Sequence, residues 1–164
     1  MSTWPDSRIL DLFGVTLPIL QAPMAGASGS AMAIAVANAG GLASLPCAAL
    51  TLDQIREEVA LIRQNTNGPL NLNFFCHQPP AVDPAREARW KNTLKDYYTE
   101  LGADFEAPTP VSARAPFDDA SCALIEALKP EIISFHFGLP EQALLDRVKA
   151  TGAKIISSAT TVEE

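Results

Sequence analysis

The segment Leu17-Pro18-Ile19-Leu20-Gln21-Ala22-Pro23-Met24-Ala25-Gly26 constrains the fold more than any other. A short apolar run breaks at Pro23, passes into a loop of small residues, and feeds an alanine-rich helix. A buried strand that ends in such a loop and turns into a helix is the opening unit of an α/β protein. Ligands of α/β proteins sit in the loops that follow the carboxyl ends of the strands. The loop after Gln21 is therefore the first candidate wall of a binding site, and the rest of the chain should repeat its pattern.

It does. Before the segment, Ile9, Leu12 and Phe13 suit one stripe of a short helix closed by Gly14, an arm that would plug the bottom of a barrel. The first strand is expected at about Ile19–Ala22. Ser28 or Ser30 is expected to cap the next helix, near Ala31–Asn38, by accepting a free backbone N–H. That helix is apolar all round, which predicts burial on several sides, and Gly40-Gly41 ends it. Leu42–Leu45 reads as a second strand stopped by Pro46. Thr51 and Gln54 form a capping box before a helix whose stripe is Ile55, Val59 and Ile62. After the turn Asn67-Gly68-Pro69, the third strand Leu70–Phe75 sets Asn71 and Asn73 on one face and Leu70, Leu72 and Phe74 on the other. Two amides on one face of a buried strand need hydrogen-bond partners.

Residues 77–116 leave this rhythm and carry six prolines. One helix is predicted inside, capped by Asp83, started by Pro84 and closed by Gly102, with Trp90, Leu94, Tyr97, Tyr98 and Leu101 as its stripe. A long excursion beyond a strand's carboxyl end suits a substrate-covering segment or a plain insertion. A helix over Phe117–Lys129 follows, with Leu124, Ile125 and Leu128 inward and Pro130 as its stop. A fourth strand is read at Glu131–Phe137. The next helix is opened by Gly138 and Pro140, faces Leu144, Leu145 and Val148 inward, and ends at Gly152. Lys154–Ser158 is the fifth strand. Thr161 with Glu164 reads as one more capping box, which announces a sixth helix; on this ground the 164 residues are expected to be the N-terminal part of a longer chain.

Strands joined by helices and never by hairpins are parallel. A doubly wound sheet and a (β/α)8 barrel both fit, and a barrel of roughly 250 residues would take about five of its eight strands from this chain. The net charge of −7 argues against a nucleic-acid partner, because phosphate recognition needs a basic face. No apolar run has membrane-spanning length, and the first ten residues do not form a signal peptide. Cys47, Cys76 and Cys122 lack metal-knuckle spacing, so no metal is expected; they are read as reduced thiols of a cytoplasmic protein.

Five stretches together resemble the nitronate monooxygenase family, also called 2-nitropropane dioxygenases. They are residues 17–28 (Leu-Pro-Ile-Leu-Gln-Ala-Pro-Met-Ala-Gly-Ala-Ser), 37–42 (Ala-Asn-Ala-Gly-Gly-Leu), 71–77 (Asn-Leu-Asn-Phe-Phe-Cys-His), 134–140 (Ser-Phe-His-Phe-Gly-Leu-Pro) and 156–161 (Ile-Ser-Ser-Ala-Thr-Thr). The resemblance implies a (β/α)8 TIM barrel of FMN-dependent type, with residues 1–164 as the N-terminal part of that single domain, interrupted by the Pro-rich helical insertion at about 77–116. It also implies oxidation of alkyl nitronates by molecular oxygen to a carbonyl compound and nitrite.

The same resemblance puts Ala22, Pro23 and Met24 beside the flavin ring and Asn73 on the cofactor, with Asn71 as a neighbour. His136 and Ser158 are expected to face the same cavity. The family's catalytic histidine belongs to a Gly-Gly-His element after the sixth strand, and the phosphate cradle to still later loops; neither is among these residues, so little catalysis is expected of them alone. Other readings stay open: another FMN-barrel oxidoreductase such as a flavin-dependent enoyl reductase, or an inactive half-barrel. Open sheet edges would favour homo-oligomers in the latter.

Overall fold

The computed structural model describes residues 4–79, 81, 83–108 and 114–163. They form two compact units, one of Met1–His77 with Ala113–Glu164 and one of Gln78–Ser112. The larger unit is an α/β structure. Its sheet holds four parallel strands in the order β1 (Ala43–Pro46), β2 (Leu70–Phe75), β3 (Ile132–His136) and β4 (Lys154–Ser157). Strand order equals chain order, as expected when each strand is joined to the next by a helical crossover.

The predicted first strand is the main correction. Residues 19–22 contribute one parallel bridge, Leu20 to Leu42, with Gln21 N–H donating to the Leu42 carbonyl and Leu42 N–H to the Ile19 carbonyl, each at 2.9 Å. Pro18 and Pro23 bracket the segment and remove ladder donors. The backbone then leaves the sheet, and the Gln21 side chain takes its place against Ser44.

The sheet has two unlike faces. Ala43, Leu45, Leu70, Leu72, Phe74, Ile133 and Phe135 point to the outer face and build the main core. Helices supply its other half: Ala33 from α2 (Ser30–Ala39), Ile55, Val59 and Ile62 from α3 (Leu52–Asn65), Leu124 and Ile125 from α6 (Asp119–Leu128), and Leu145 and Val148 from α7 (Gln142–Ala150). On the inner face, α1 (Arg8–Phe13) closes the amino-terminal end of the sheet. Its Leu10 and Phe13 pack with Val15, Leu42 and Ile132 in a second cluster. The expected plug is there, but Leu10 takes the place given to Leu12, which is 48% exposed. Gly14 ends α1 at φ 69°, a left-handed turn that glycine adopts without steric cost.

Capping went partly as read. Thr51 and Gln54 form the capping box. Neither Ser28 nor Ser30 caps α2: its N-cap is Gly29, the Ser28 hydroxyl bonds within the loop to Met24, and the Ser30 N–H is taken by a Glu58 carboxylate oxygen at 3.0 Å. Nor is α2 buried on several sides; Ser30 and Ala33 are its buried residues, and Met32 is 41% exposed. Alanine carries too little side chain to enforce burial. Helix α6 begins two residues later than predicted, because Asp118 caps it through the Ser121 N–H at 2.8 Å while Phe117 packs in the core.

In the smaller unit, Asp83 and Pro84 start a helix as read. The predicted single helix is two, α4 (Pro84–Thr93) and α5 (Lys95–Glu100), broken at Leu94. Asn92 and Thr93 are weak helix formers, and the Thr93 hydroxyl bonds back to the Arg89 carbonyl. Trp90, Tyr97 and Leu101 of the predicted stripe are 62, 61 and 78% exposed. The capping box read at Thr161 depends on Glu164, which lies outside the described residues.

Candidate functional site

Along each strand alternate residues face the inner side, and strand register sets Ser44 level with Asn71 and Ile132, and Asn73 level with Ser134 and Ile156. Nearest the α1 plug are Leu42, Ile132 and Ile156. Ser44, Asn71, Asn73 and Ser134 face the same side and are all buried. At the carboxyl ends stand Phe75, His136 and Ser158. All of these but Ile132, with Leu20, Gln21, Ala22, Pro23 and Phe137, line a cavity of about 570 Å³. None of the lining residues is Asp, Glu, Lys or Arg.

The polar layer is held by its own hydrogen bonds. The Gln21 amide donates to the Ser44 carbonyl at 3.1 Å and accepts from the Ser44 N–H at 3.2 Å, so a side chain completes the ladder that the backbone abandoned. Asn71 Nδ2 donates to Ser44 Oγ at 3.0 Å, and Asn73 Nδ2 donates to Ser134 Oγ at 2.9 Å. Asn71 Oδ1 is buried with no hydrogen-bond partner among the described residues. A buried acceptor left unpaired costs about 1–3 kcal/mol.

At the cavity mouth, His136 Nδ1 lies 2.7 Å from Ser158 Oγ. Its ring also tilts against Phe137, with centroids 4.1 Å apart. On a regular strand, alternation sends His136 to the face opposite both flanking phenylalanines. Phe135 obeys and is buried on the outer face. Phe137 does not: its φ of 64° ends the strand and brings its ring to the cavity, where it meets Phe75 edge-on at 4.9 Å.

Of the six residues expected at a cofactor, Ala22, Pro23, Asn73, His136 and Ser158 line this one cavity. Met24 is not among the lining residues and is 44% exposed. His77 also stays out of the lining, stacked edge-on near Phe75 and Phe137. Sequence reading missed Gln21, Ser44 and Ser134 as site residues. Their signal was parity with the two asparagines, but parity across strands needs the register. The cysteines are free thiols. Burial pushes Cys47, beside the end of β1, up to about 12 and Cys76 up to about 11, so both are poor nucleophiles at neutral pH.

The chain is 40% identical over 157 residues to a nitronate monooxygenase of Paraburkholderia phytofirmans, covering 95% of this chain and 43% of that protein. It is 36% identical over 162 residues to a nitronate monooxygenase of Pseudomonas aeruginosa, covering 96% and 45%. The chain therefore spans less than half the length of these curated relatives. The crystal structure of a nitroalkane oxidase from Streptomyces ansochromogenes superposes with a TM-score of 0.80 at 32% identity, over 95% of this chain and 43% of that one. The structure of FabK from Thermotoga maritima shares the fold, with a TM-score of 0.64 at 23% identity over 94% and 37%. The family model for nitronate monooxygenase matches residues 6–164, and the chain belongs to that family.

Proposed function

We propose that this chain is the N-terminal portion of a (β/α)8 barrel that binds FMN and oxidises alkyl nitronates with molecular oxygen, giving a carbonyl compound and nitrite. The observation that carries the reading is a family match over residues 6–164 together with a cavity at the carboxyl ends of parallel strands. The sheet supports the barrel reading. Its crossover helices cover one face and its cavity occupies the other, whereas a doubly wound sheet has crossover helices on both.

The residues fit a flavin. Neutral amides and hydroxyls line the cavity, and a planar conjugated ring with carbonyl and imide groups needs such partners more than it needs charge. The unpaired Asn71 Oδ1 marks a polar layer not saturated by its own side chains. FMN, when bound, would supply the redox chemistry, and the protein orients it and shelters it from water. In this reading Ala22 and Pro23 allow close approach of backbone to the ring, with Met24 on the same loop. Asn73 would help hold the cofactor through its amide, at a ribityl hydroxyl or ring carbonyl. His136, steadied by Ser158, faces the substrate side. The catalytic base is assigned to no residue of this chain. Three free thiols suit a cytoplasmic setting. No helix among the described residues is long and apolar enough to cross a membrane.

The test uses the full-length protein. It should purify yellow with flavin absorption, and should consume oxygen and release nitrite from an alkyl nitronate. A colourless protein that takes up no added FMN overturns the reading. So does one that reduces an enoyl thioester with a nicotinamide while leaving nitronates untouched.

A further inference from the structure

We propose that Phe137 selects the organic part of the substrate, its ring forming the apolar wall against which the alkyl group of a nitronate packs. The inference rests on the reading above of the cavity as the flavin and nitronate site.

The backbone carries the first part of the argument. Phe137 and Lys129 are the described non-glycine residues with positive φ, at 64° and 46°. Lys129 is the C-cap of α6, where a left-handed residue is ordinary. Phe137 caps no helix. It follows a strand and precedes Gly138, itself at φ 98°. For a bulky side chain this conformation is an outlier that persists only where surroundings or function demand it. A glycine would adopt it freely.

The consequence of that conformation is the position of the ring. Continued strand geometry would send Phe137 to the helix-covered face, beside Phe135. The left-handed turn sends it to the cavity instead, against Phe75 and His136. Among the described residues the ring packs against Phe75, His77 and His136 and keeps one side open to the cavity. A left-handed backbone thus presents an aromatic ring at the mouth of a cavity whose deeper residues Ser44, Asn71, Asn73 and Ser134 are polar. Polar groups of a ligand belong with those deeper residues, and an alkyl group belongs with the ring. Burying one methylene against such a wall is worth about fourfold in affinity, the equivalent of about 0.8 kcal/mol.

The experiment compares full-length wild type with Phe137→Ala, Phe137→Leu and Phe137→Gly. Turnover of ethyl to hexyl nitronates is read as kcat/KM. Calorimetry with the matching aliphatic carboxylates, unreactive planar anions, reads binding without turnover. In wild type both should rise about fourfold per methylene over the first carbons. Phe137→Ala should flatten the rise, losing on the order of tenfold for the longest chain and little for ethyl, at unchanged FMN content. Phe137→Leu should keep part of the dependence. Phe137→Gly should flatten it too, while its Tm holds or rises because the backbone strain is relieved. Chain-length profiles identical to wild type in the Ala and Gly variants overturn the proposal. So does a loss of FMN affinity in place of the chain-length effect, which would make the ring a flavin contact. If the protein binds FMN but oxidises no nitronate, the proposed function fails, and the carboxylate series still decides the role of Phe137.

Discussion

The Gln21 side-chain amide and the Ser44 peptide exchange two hydrogen bonds, at 3.1 and 3.2 Å, inside the sheet. Gln21 is the last residue before the loop Ala22-Pro23-Met24, and both partners are buried. One side chain therefore closes the edge of β1 and sets where the loop leaves. Gln21→Leu keeps the volume but leaves the Ser44 N–H and C=O unpaired. It should lower stability by about 2–4 kcal/mol in urea unfolding. Hydrogen exchange at the Ser44 amide should accelerate more than at its neighbours in β1. Unchanged exchange there would show that the amide pairing contributes little.

Caps should rank as the observed bonds rank them. Thr51→Ala and Asp118→Ala each remove an acceptor for a first-turn N–H and should cost about 1 kcal/mol. Ser30→Ala should leave stability within about 0.5 kcal/mol, since the Ser30 side chain makes no capping bond. Glu58→Ala should weaken α2 instead, because the Glu58 carboxylate holds the Ser30 N–H. Denaturant titration of the four variants checks the order, and an effect of Ser30→Ala equal to that of Thr51→Ala would contradict it.

Alkaline pH should destabilise the fold through its thiols. Burial raises Cys47 to about 12 and Cys76 to about 11, above their values in the unfolded chain. A raised folded pKa means the folded state keeps its proton longer. This contribution is complete below the unfolded value near 9 and is lost as pH rises from there toward 11–12. The slope should reach about 1.4 kcal/mol per pH unit for each proton that only the unfolded chain has released. Stability followed from pH 8 to 11 should show it, and Cys47→Ala, though less stable at neutral pH, should have the shallower slope. Iodoacetamide should leave Cys47 unmodified in the folded protein at pH 8.

Acid should act at the junction of α6 and α7. Arg147 grips both Glu126 carboxylate oxygens at 2.8 Å and also bonds Asp119. The guanidinium hydrogen bond holds the Glu126 carboxyl below the usual range. A depressed folded pKa gives a contribution present above the unfolded value and lost as pH falls through the folded one. Wild type should therefore lose stability faster than Arg147→Lys below about pH 4.5, because lysine cannot make the bidentate pair. Parallel acid limbs for the two proteins would refute the assignment.

Much of the fold was legible because its signals are local. The capping box at Thr51, the Pro84 start and the stripes of α3, α6 and α7 each depend on residues within one or two turns. Strand β2 was read with its bounds intact, since apolar and amide residues alternate without a break. Errors came where a distant partner overrode a local rule. The Ser30 N–H went to Glu58, 28 residues away, and the Ile19–Ala22 ladder was cut short by a side chain reaching Ser44. Leu12 and Leu10 exchanged roles because a six-residue helix offers no long period by which to fix its phase. At the site, single-strand alternation paired Asn71 with Asn73 but could not bring in Ser44 or Ser134.

The sequence by itself determined that this is a chain of parallel strands and crossover helices with small-residue loops after the strands, because those properties follow from spacing, capping and turn chemistry between near neighbours. Tertiary structure alone decided which residues share the cavity. The register of four strands aligns Ser44 with Asn71 and Asn73 with Ser134, and one left-handed residue swings Phe137 from the helix side to the cavity beside His136. Both are long-range outcomes: the helix-covered core fixes the register, and the end of that register, where Gly138 follows, is where the chain turns.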